Sequence, residues 1–297
     1  PNIQLGNSLA VKLSEIGDGE RVGGVWLAVV AALAFWAGIV GRNVNVLNQG
    51  LNLYILFVAG TGRGKEAMAS GISKLIEAVA VKVPSIRQLV TGRFASSQAI
   101  LHHLSEFPGT LSIQGEGEYL FRRLTSPKAP QNEQELLQTV LDLFHKSGLG
   151  QAMPGYRKAE KAASVGAIPS PCFTLLTEST FGAVDALLSN DAVKKGVTPR
   201  FMIVMTKALR PELNPNMVSQ PDPELVEFIG SVWSQVMTCS KPLVGIEVKF
   251  DNEANKLQAA FDRETTRNIN EADQDIEAEL WNRSHIKASK LAALVAT

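Results

Sequence analysis

Apolar positions along this chain gather in short runs, and longer stretches of helical spacing lie between them. Strand candidates lie at Ile55–Val58, in Gly109–Glu118, at Pro171–Thr177 and at Arg200–Met205, with a further one at Ile86–Val90. The first is apolar throughout, as expected of a strand buried on both faces of a parallel sheet. Helical spacing follows Glu66, opens again at Ser96-Ser97-Gln98 and runs through His103, and resumes from Tyr119. Strands alternating with helices predict an α/β fold with a central, mostly parallel sheet flanked by helices.

Outside that alternation, residues 1–22 have mixed polarity, a helix is expected at about 23–40, and a short extended piece at 43–48. The proline-rich stretch Pro211–Pro223 marks a boundary. Beyond it, helices are expected at about 223–238, 253–275 and 276–297, with a strand candidate at 244–250. Three regions result: an N-terminal helical leader packing on the core (1–48), the core itself (49–210) and a mainly helical C-terminal lid region (211–297). Val25–Val40, with Trp26 and Trp36, is the most apolar stretch. Its sixteen or so residues fall short of the roughly 20 that a membrane span needs, so a buried helix is expected and no membrane association.

The strand–helix junction at residues 54–66 carries the chemistry. Three glycines, Gly60, Gly62 and Gly64, follow the apolar run and end in Lys65. Glycine lets the backbone take positive φ and wrap its N–H groups around an anion, while the lysine reaches the β- and γ-phosphates of a nucleotide. A helix N-terminus would point at the same phosphates. The residues Ala59, Gly60, Thr61, Gly62, Arg63, Gly64, Lys65 and Glu66 therefore form a candidate ATP-binding loop. Two departures from the G-x-x-x-x-G-K-[ST] pattern stand out: Ala59 replaces the first glycine, and Glu66 replaces the magnesium-binding hydroxyl. A carboxylate there either helps to hold Mg2+ or leaves the metal to other residues and water.

Charge and cysteine usage narrow the partners. The 29 basic and 29 acidic side chains cancel, so nucleic-acid contact would need a local patch. Cys172 and Cys239 are far apart and lack metal-ligand spacing, so neither a disulfide scaffold nor a zinc site is expected, and cytoplasm is the expected compartment. His102 and His103, adjacent on one helix, do not face one another and read as surface or partly buried side chains.

Further candidates sit at strand ends. Gly109–Glu118 is a short β run closing on acids, where P-loop ATPases carry a carboxylate pair that orients magnesium and polarises the attacking water. Gly115 takes the place of the metal-binding aspartate, Glu116 that of the water-activating acid, and Glu118 is a substitute metal ligand. The same carboxylates also fit a plain helix N-terminus. Thr177, closing the run from Pro171, is placed to sense the γ-phosphate or to cap the next helix. Between Gly148 and Pro171, Tyr156, Arg157, Lys158 and Lys161 combine an aromatic with cations, as a single-stranded DNA path needs, and also fit a solvated charge cluster.

Taken in order, these landmarks resemble a family of primase- and helicase-associated P-loop ATPases from phages, prophages and plasmids, long catalogued as a domain of unknown function. The resemblance rests on the small-residue helix ending Gly41-Arg42, on Leu53–Glu66, and on Ser112–Gly117, where that family has Asp-Glu-Gly. It continues through Pro169–Thr177, Gly196–Phe201 with its Arg-Phe pair, and Trp281–Ala293. It implies a P-loop core of the AAA+ and RecA-like kind, ATP with Mg2+, and a ring, a hexamer by similarity to replicative helicases, that works on single-stranded DNA beside a primase in a bacterial host. In such rings a hairpin before the sensor strand enters the channel, and one subunit lends an arginine to its neighbour; Arg200 is the candidate, with Arg283 second. The expected function is an ATP-dependent DNA helicase or translocase. The alternatives are a nucleotide-gated assembly module with weak hydrolysis, which Gly115 and Glu66 would suit, and a packaging or defence ATPase.

Overall fold

The computed structural model describes residues 22–157, 164–208, 220–240, 243–273 and 275–297. Residues 1–21 of the leader, Lys158, Lys161 and most of the proline-rich stretch lie outside the described residues. The described chain opens with α1 (Val22–Val40), then β1 (Val44–Val46) and β2 (Gln49–Gly50), which turn back on each other through Leu47 and Asn48, both at positive φ. The core follows as β3 (Tyr54–Val58), α2 (Ala67–Ala80), a 3-10 turn (Pro84–Gln88), β4 (Val90–Thr91), α3 (Ser97–Glu106) and β5 (Gly109–Gln114). Next come α4 (Gly117–Thr125), α5 (Gln131–His145), the short pair β6 (Ala152–Met153) and β7 (Ile168–Pro169), and β8 (Cys172–Ser179). Then α6 (Gly182–Leu187) and α7 (Asn190–Lys194) lead to β9 (Phe201–Met205). The C-terminal region holds α8 (Pro223–Thr238), β10 (Ile246–Glu247), α9 (Asn252–Glu271), α10 (Asp275–Trp281) and α11 (Ser284–Ala296).

Five strands make an all-parallel sheet in the order β4-β5-β8-β3-β9. Every residue of β3 is buried, because helices cover both faces. Ile55 and Phe57 point to the side of α1, α2 and α8, and Tyr54, Leu56 and Val58 to that of α3–α7. The step from β3 out to β4 uses the first face, and the returning steps to β5, β8 and β9 use the second. Opposite faces for opposite directions are what a single crossover hand requires.

From Ala28 on, α1 is apolar all round and mostly buried: Ala34, Phe35 and Ala37 are fully enclosed against the sheet, α2 and α8, while Val25 and Trp26 near its start are exposed. Small residues let it approach closely, since a Cβ on Gly38 would sit 3.0 Å from the Leu111 Cβ. No helix among the described residues is long and apolar enough to cross a membrane.

Two expectations shift. The run Ile86–Val90 is mostly the 3-10 turn, because Pro84 fixes φ at its first position, and the strand is confined to Val90–Thr91. The C-terminal region is helical, but α11 docks under the amino ends of the sheet strands. Its Lys287 Nζ donates to Phe201 O (3.2 Å) and its Lys290 Nζ to Asn52 Oδ1 (2.6 Å), at the end of the sheet away from the glycine-rich turn.

Candidate functional site

The register brings three strand ends together. Val58 aligns with Ser179 and Met205, and Gln114 with Thr177, so the carboxyl ends of β5, β8 and β3 share one edge. In parallel α/β sheets this edge is where ligands bind. Residues 59–66 leave β3 there and turn into α2, with Gly62 at φ 69° and Gly64 at φ 73°. Ala59 N donates to Ser179 O (3.2 Å) and Ala67 N to Gly64 O (3.0 Å), pinning both ends of the turn. Between them no N–H from Gly60 to Glu66 makes a well-formed bond to a protein acceptor. Unbonded N–H groups at a helix N-terminus are the kind of donors that can hold an anion. Lys65 Nζ lies on the turn's own carbonyls, Ala59 O (3.2 Å) and Gly60 O (3.0 Å), within the same loop.

The acids are arranged differently from the sequence expectation. An ideal Cβ on Gly115 would sit 3.8 Å from Glu178 Oε1, so a carboxylate from the neighbouring strand occupies the space beside the missing aspartate. Burial pushes the Glu178 carboxyl up to about 7, the Glu66 charge adds to this, and Lys65 opposes it. The charges of Lys65 and Glu66 are thus near enough to act on Glu178. Glu178 was legible only as the polar residue after Thr177; its role depends on β8 lying between β5 and β3, which no spacing in the sequence reveals.

Glu116 stands exposed at the N-cap of α4 with φ 55°, a strained left-handed conformation for a non-glycine residue, and its side chain makes no cap bond. Glu118 accepts from Arg122 Nε (3.0 Å) and Thr180 Oγ1 (3.3 Å), and a Cβ on Gly182 would sit 2.3 Å from its Oε2. These contacts tie α4 to the chain that leads from β8 into α6. Thr177 is fully buried, and its Oγ1 has no partner. Strand alternation turns it towards α4, where a Cβ on Gly117 would sit 2.8 Å from the hydroxyl. It caps no helix, since α6 begins after Phe181 without a side-chain cap.

The hard oxygens of Glu66 and Glu178 suit Mg2+. Among the described residues no group of three or more His, Cys, Asp or Glu could hold an ion alone. A magnesium ion here would share phosphate oxygens and water, which is its usual mode.

Arg200 and Arg283 lie at the opposite end of the sheet. Arg200 Nε donates to Leu141 O (3.2 Å) and its Nη1 to Gly196 O, and Arg283 N-caps α11 and touches the His145 ring. Neither reaches the glycine-rich turn of its own chain. Together with Lys287 and Lys290 they make a cation-rich corner. Burial and then the Arg200 charge push Arg283 down to about 10; burial and then Arg283 push Lys287 to about 8 and, with further cations, His145 to about 3.

The basic insert forms the base of a hairpin. β6 and β7 pair antiparallel, Tyr156 bridges Val165, and Gly155 passes so close that a Cβ would lie 2.0 Å from Val165 O. Tyr156 packs half-buried on the core cluster of α3–α7, so its ring is not a free stacking platform. Arg157 is exposed, and Lys158 and Lys161 lie outside the described residues. His103 is half-buried beside Thr110 Oγ1 (3.1 Å), and Cys172 is buried and free, with burial pushing its thiol up to about 12. No protein-family model matches this chain, and no curated protein matches it.

Proposed function

We propose that this chain is a P-loop ATPase that drives movement along single-stranded DNA. The observation that carries the reading is the convergence of an unbonded N–H cradle, Lys65, Glu66 and Glu178 at the carboxyl edge of a parallel sheet. In this reading the turn 59–66 cradles the phosphates of ATP, and Lys65 exchanges its two carbonyl contacts for β- and γ-phosphate oxygens. Bound Mg2+ would neutralise charge on the leaving phosphates, held by Glu178 and Glu66. Glu116, exposed beside them, takes a proton from water as its oxygen attacks the γ-phosphorus and the bond to the β–γ bridging oxygen breaks, giving ADP and phosphate. Arg200 is the group a neighbouring copy in a ring would receive, because it lies away from its own cradle. The hairpin that carries Arg157 is the element offered to DNA.

Gly115 favours one alternative, a module that binds ATP and DNA with weak turnover. Phosphate release with and without single-stranded DNA separates the two: DNA-stimulated hydrolysis is expected from a translocase, and flat, near-zero turnover with ATP bound would favour the module. Within the first reading, Glu116→Gln should lower turnover by about 10² with ATP binding kept. Glu178→Gln should weaken Mn2+ binding in the ATP complex, read by electron paramagnetic resonance. Unaltered Mn2+ affinity in Glu178→Gln would remove that residue from the site.

A further inference from the structure

A cavity of about 370 Å³ opens at the amino end of the sheet, bordered by α1, the end of α3, the start of β5, β7 and α8. Small-molecule sites span roughly 300–1,000 Å³, so this one is large enough for a ligand of modest size. Arg42 lines it and is only 6% exposed. Its Nε donates to Ser170 O (3.1 Å), Nη1 to Ser240 O (3.4 Å) and Nη2 to Pro169 O (3.3 Å). A guanidinium has five N–H groups, so Nη1 and Nη2 each keep one without an acceptor. No carboxylate among the described residues pairs with it. A buried charge without a counter-ion is costly, and a carboxylate gripped by two N–H groups is the partner a guanidinium fits best.

Asn43, 7% exposed, also borders the cavity, and its Nδ2 donates to Cys239 O (3.4 Å) and Val244 O (3.2 Å). Its Oδ1 is enclosed by protein, so the Arg42 guanidinium is the group that the cavity offers to a charged ligand. Trp233, Val236, Met237, Ile39 and Phe107 give the rest of the lining its apolar character, while the exposed Glu106 stands at the rim.

We propose that this cavity is a second ligand site, for a small monocarboxylate with an apolar body. The carboxylate pairs with Arg42, and the apolar body with Trp233 and Met237. A phosphate dianion fits less well, because one guanidinium balances one charge and Glu106 repels the second. The inference does not rest on the nucleotide reading, since no residue is shared with the turn at 59–66. The carbonyls that hold Arg42 belong partly to β7 and the residue after it, so occupancy would be felt at the base of the hairpin.

Calorimetric titration of the full chain with 3-phenylpropionate tests this, with phenethylamine as the probe that lacks the carboxylate. One 3-phenylpropionate per chain is expected, with phenethylamine about tenfold weaker or worse, a loss of about 1.4 kcal/mol or more. Met237→Glu, at a position 41% exposed, puts a negative charge at the mouth and should weaken 3-phenylpropionate by about tenfold without disturbing the fold. Arg42→Lys keeps the charge and loses the two-pronged grip, and should weaken it as well. Phenethylamine binding as tightly as 3-phenylpropionate, parental affinity in a folded Arg42→Lys, or no heat with 3-phenylpropionate up to roughly 10 mM would each overturn the proposal. If Arg42→Lys does not fold, Met237→Glu decides: unchanged affinity there overturns it.

Discussion

Replacing Lys290 by methionine probes the packing of α11 under the sheet. Lys290 is fully buried; its ammonium donates to Asn52 Oδ1 (2.6 Å) and Asn52 O (3.4 Å) and lies 4.7 Å from the Phe144 ring centre. Burial pushes its pKa down to about 7 from an ordinary value of 10.5. Between those values the unfolded chain holds a proton that the folded chain has released, so stability is lowest below pH 7 and rises with pH through the window. Each pH unit inside it contributes about 1.4 kcal/mol, and the span from pH 7 to pH 9 therefore holds roughly 2–3 kcal/mol. Cys172 reverses the trend only above its own ordinary value of 9, which sets the upper limit of the test.

Methionine is unbranched like lysine and one heavy atom shorter, and Asn52 Oδ1 keeps the Ser147 hydroxyl at 2.7 Å. The lost 3.4 Å contact is absent at every pH, and Lys287, pushed down to about 8, contributes equally in both proteins. Both cancel in the comparison. Urea unfolding at pH 7 and pH 9 should show the parent gaining roughly 2–3 kcal/mol relative to Lys290→Met across that interval. Parallel stability curves for the two proteins would refute the buried-ammonium reasoning.

Thr177→Val should leave stability unchanged or raise it by about 1 kcal/mol, because the buried hydroxyl has no partner to lose; circular-dichroism melting checks this, and a large loss would mean that the hydroxyl is bonded after all. If that hydroxyl instead serves the phosphate site, turnover falls while stability holds, which a phosphate-release assay on the same variant reads. Arg157→Ala should flatten the slope of log affinity against log salt for single-stranded DNA by about 0.7, one phosphate contact, as fluorescence anisotropy over a salt series would show. An unchanged slope would take the hairpin out of the DNA path.

Where the sequence was readable, local physics decided the outcome. β3, the glycine-rich turn and α2 could be read in order because a fully apolar run, three glycines and a helical pattern each have one good local solution. A hairpin before β8 was expected from the resemblance alone, and Tyr156 packs on the core instead of standing free, since an aromatic beside a buried face gains more from burial. α5 went unassigned although Leu136, Leu137, Val140, Leu141 and Phe144 recur at helical spacing. The surroundings of Glu178 and Glu118 were hidden for a non-local reason: strand order places Glu178 beside Gly115, and Arg122 and Thr180 pair with Glu118. The docking of α11 was equally hidden, because a buried Lys290 satisfied by Asn52 looks like a surface lysine in one dimension.

The nucleotide cradle is most directly tested by ATP binding to Lys65→Ala, followed by calorimetry in the presence of Mg2+. Lys65 is partly exposed and contacts only the turn's carbonyls, so its removal costs little packing and the variant should fold as the parent does. The parent should bind one ATP per chain, and the variant should bind it at least about tenfold more weakly, a loss of about 1.4 kcal/mol or more for one charge-assisted phosphate contact. Equal affinity in the two proteins, or no binding by the parent, would contradict the reading of residues 59–66 as a phosphate-binding loop.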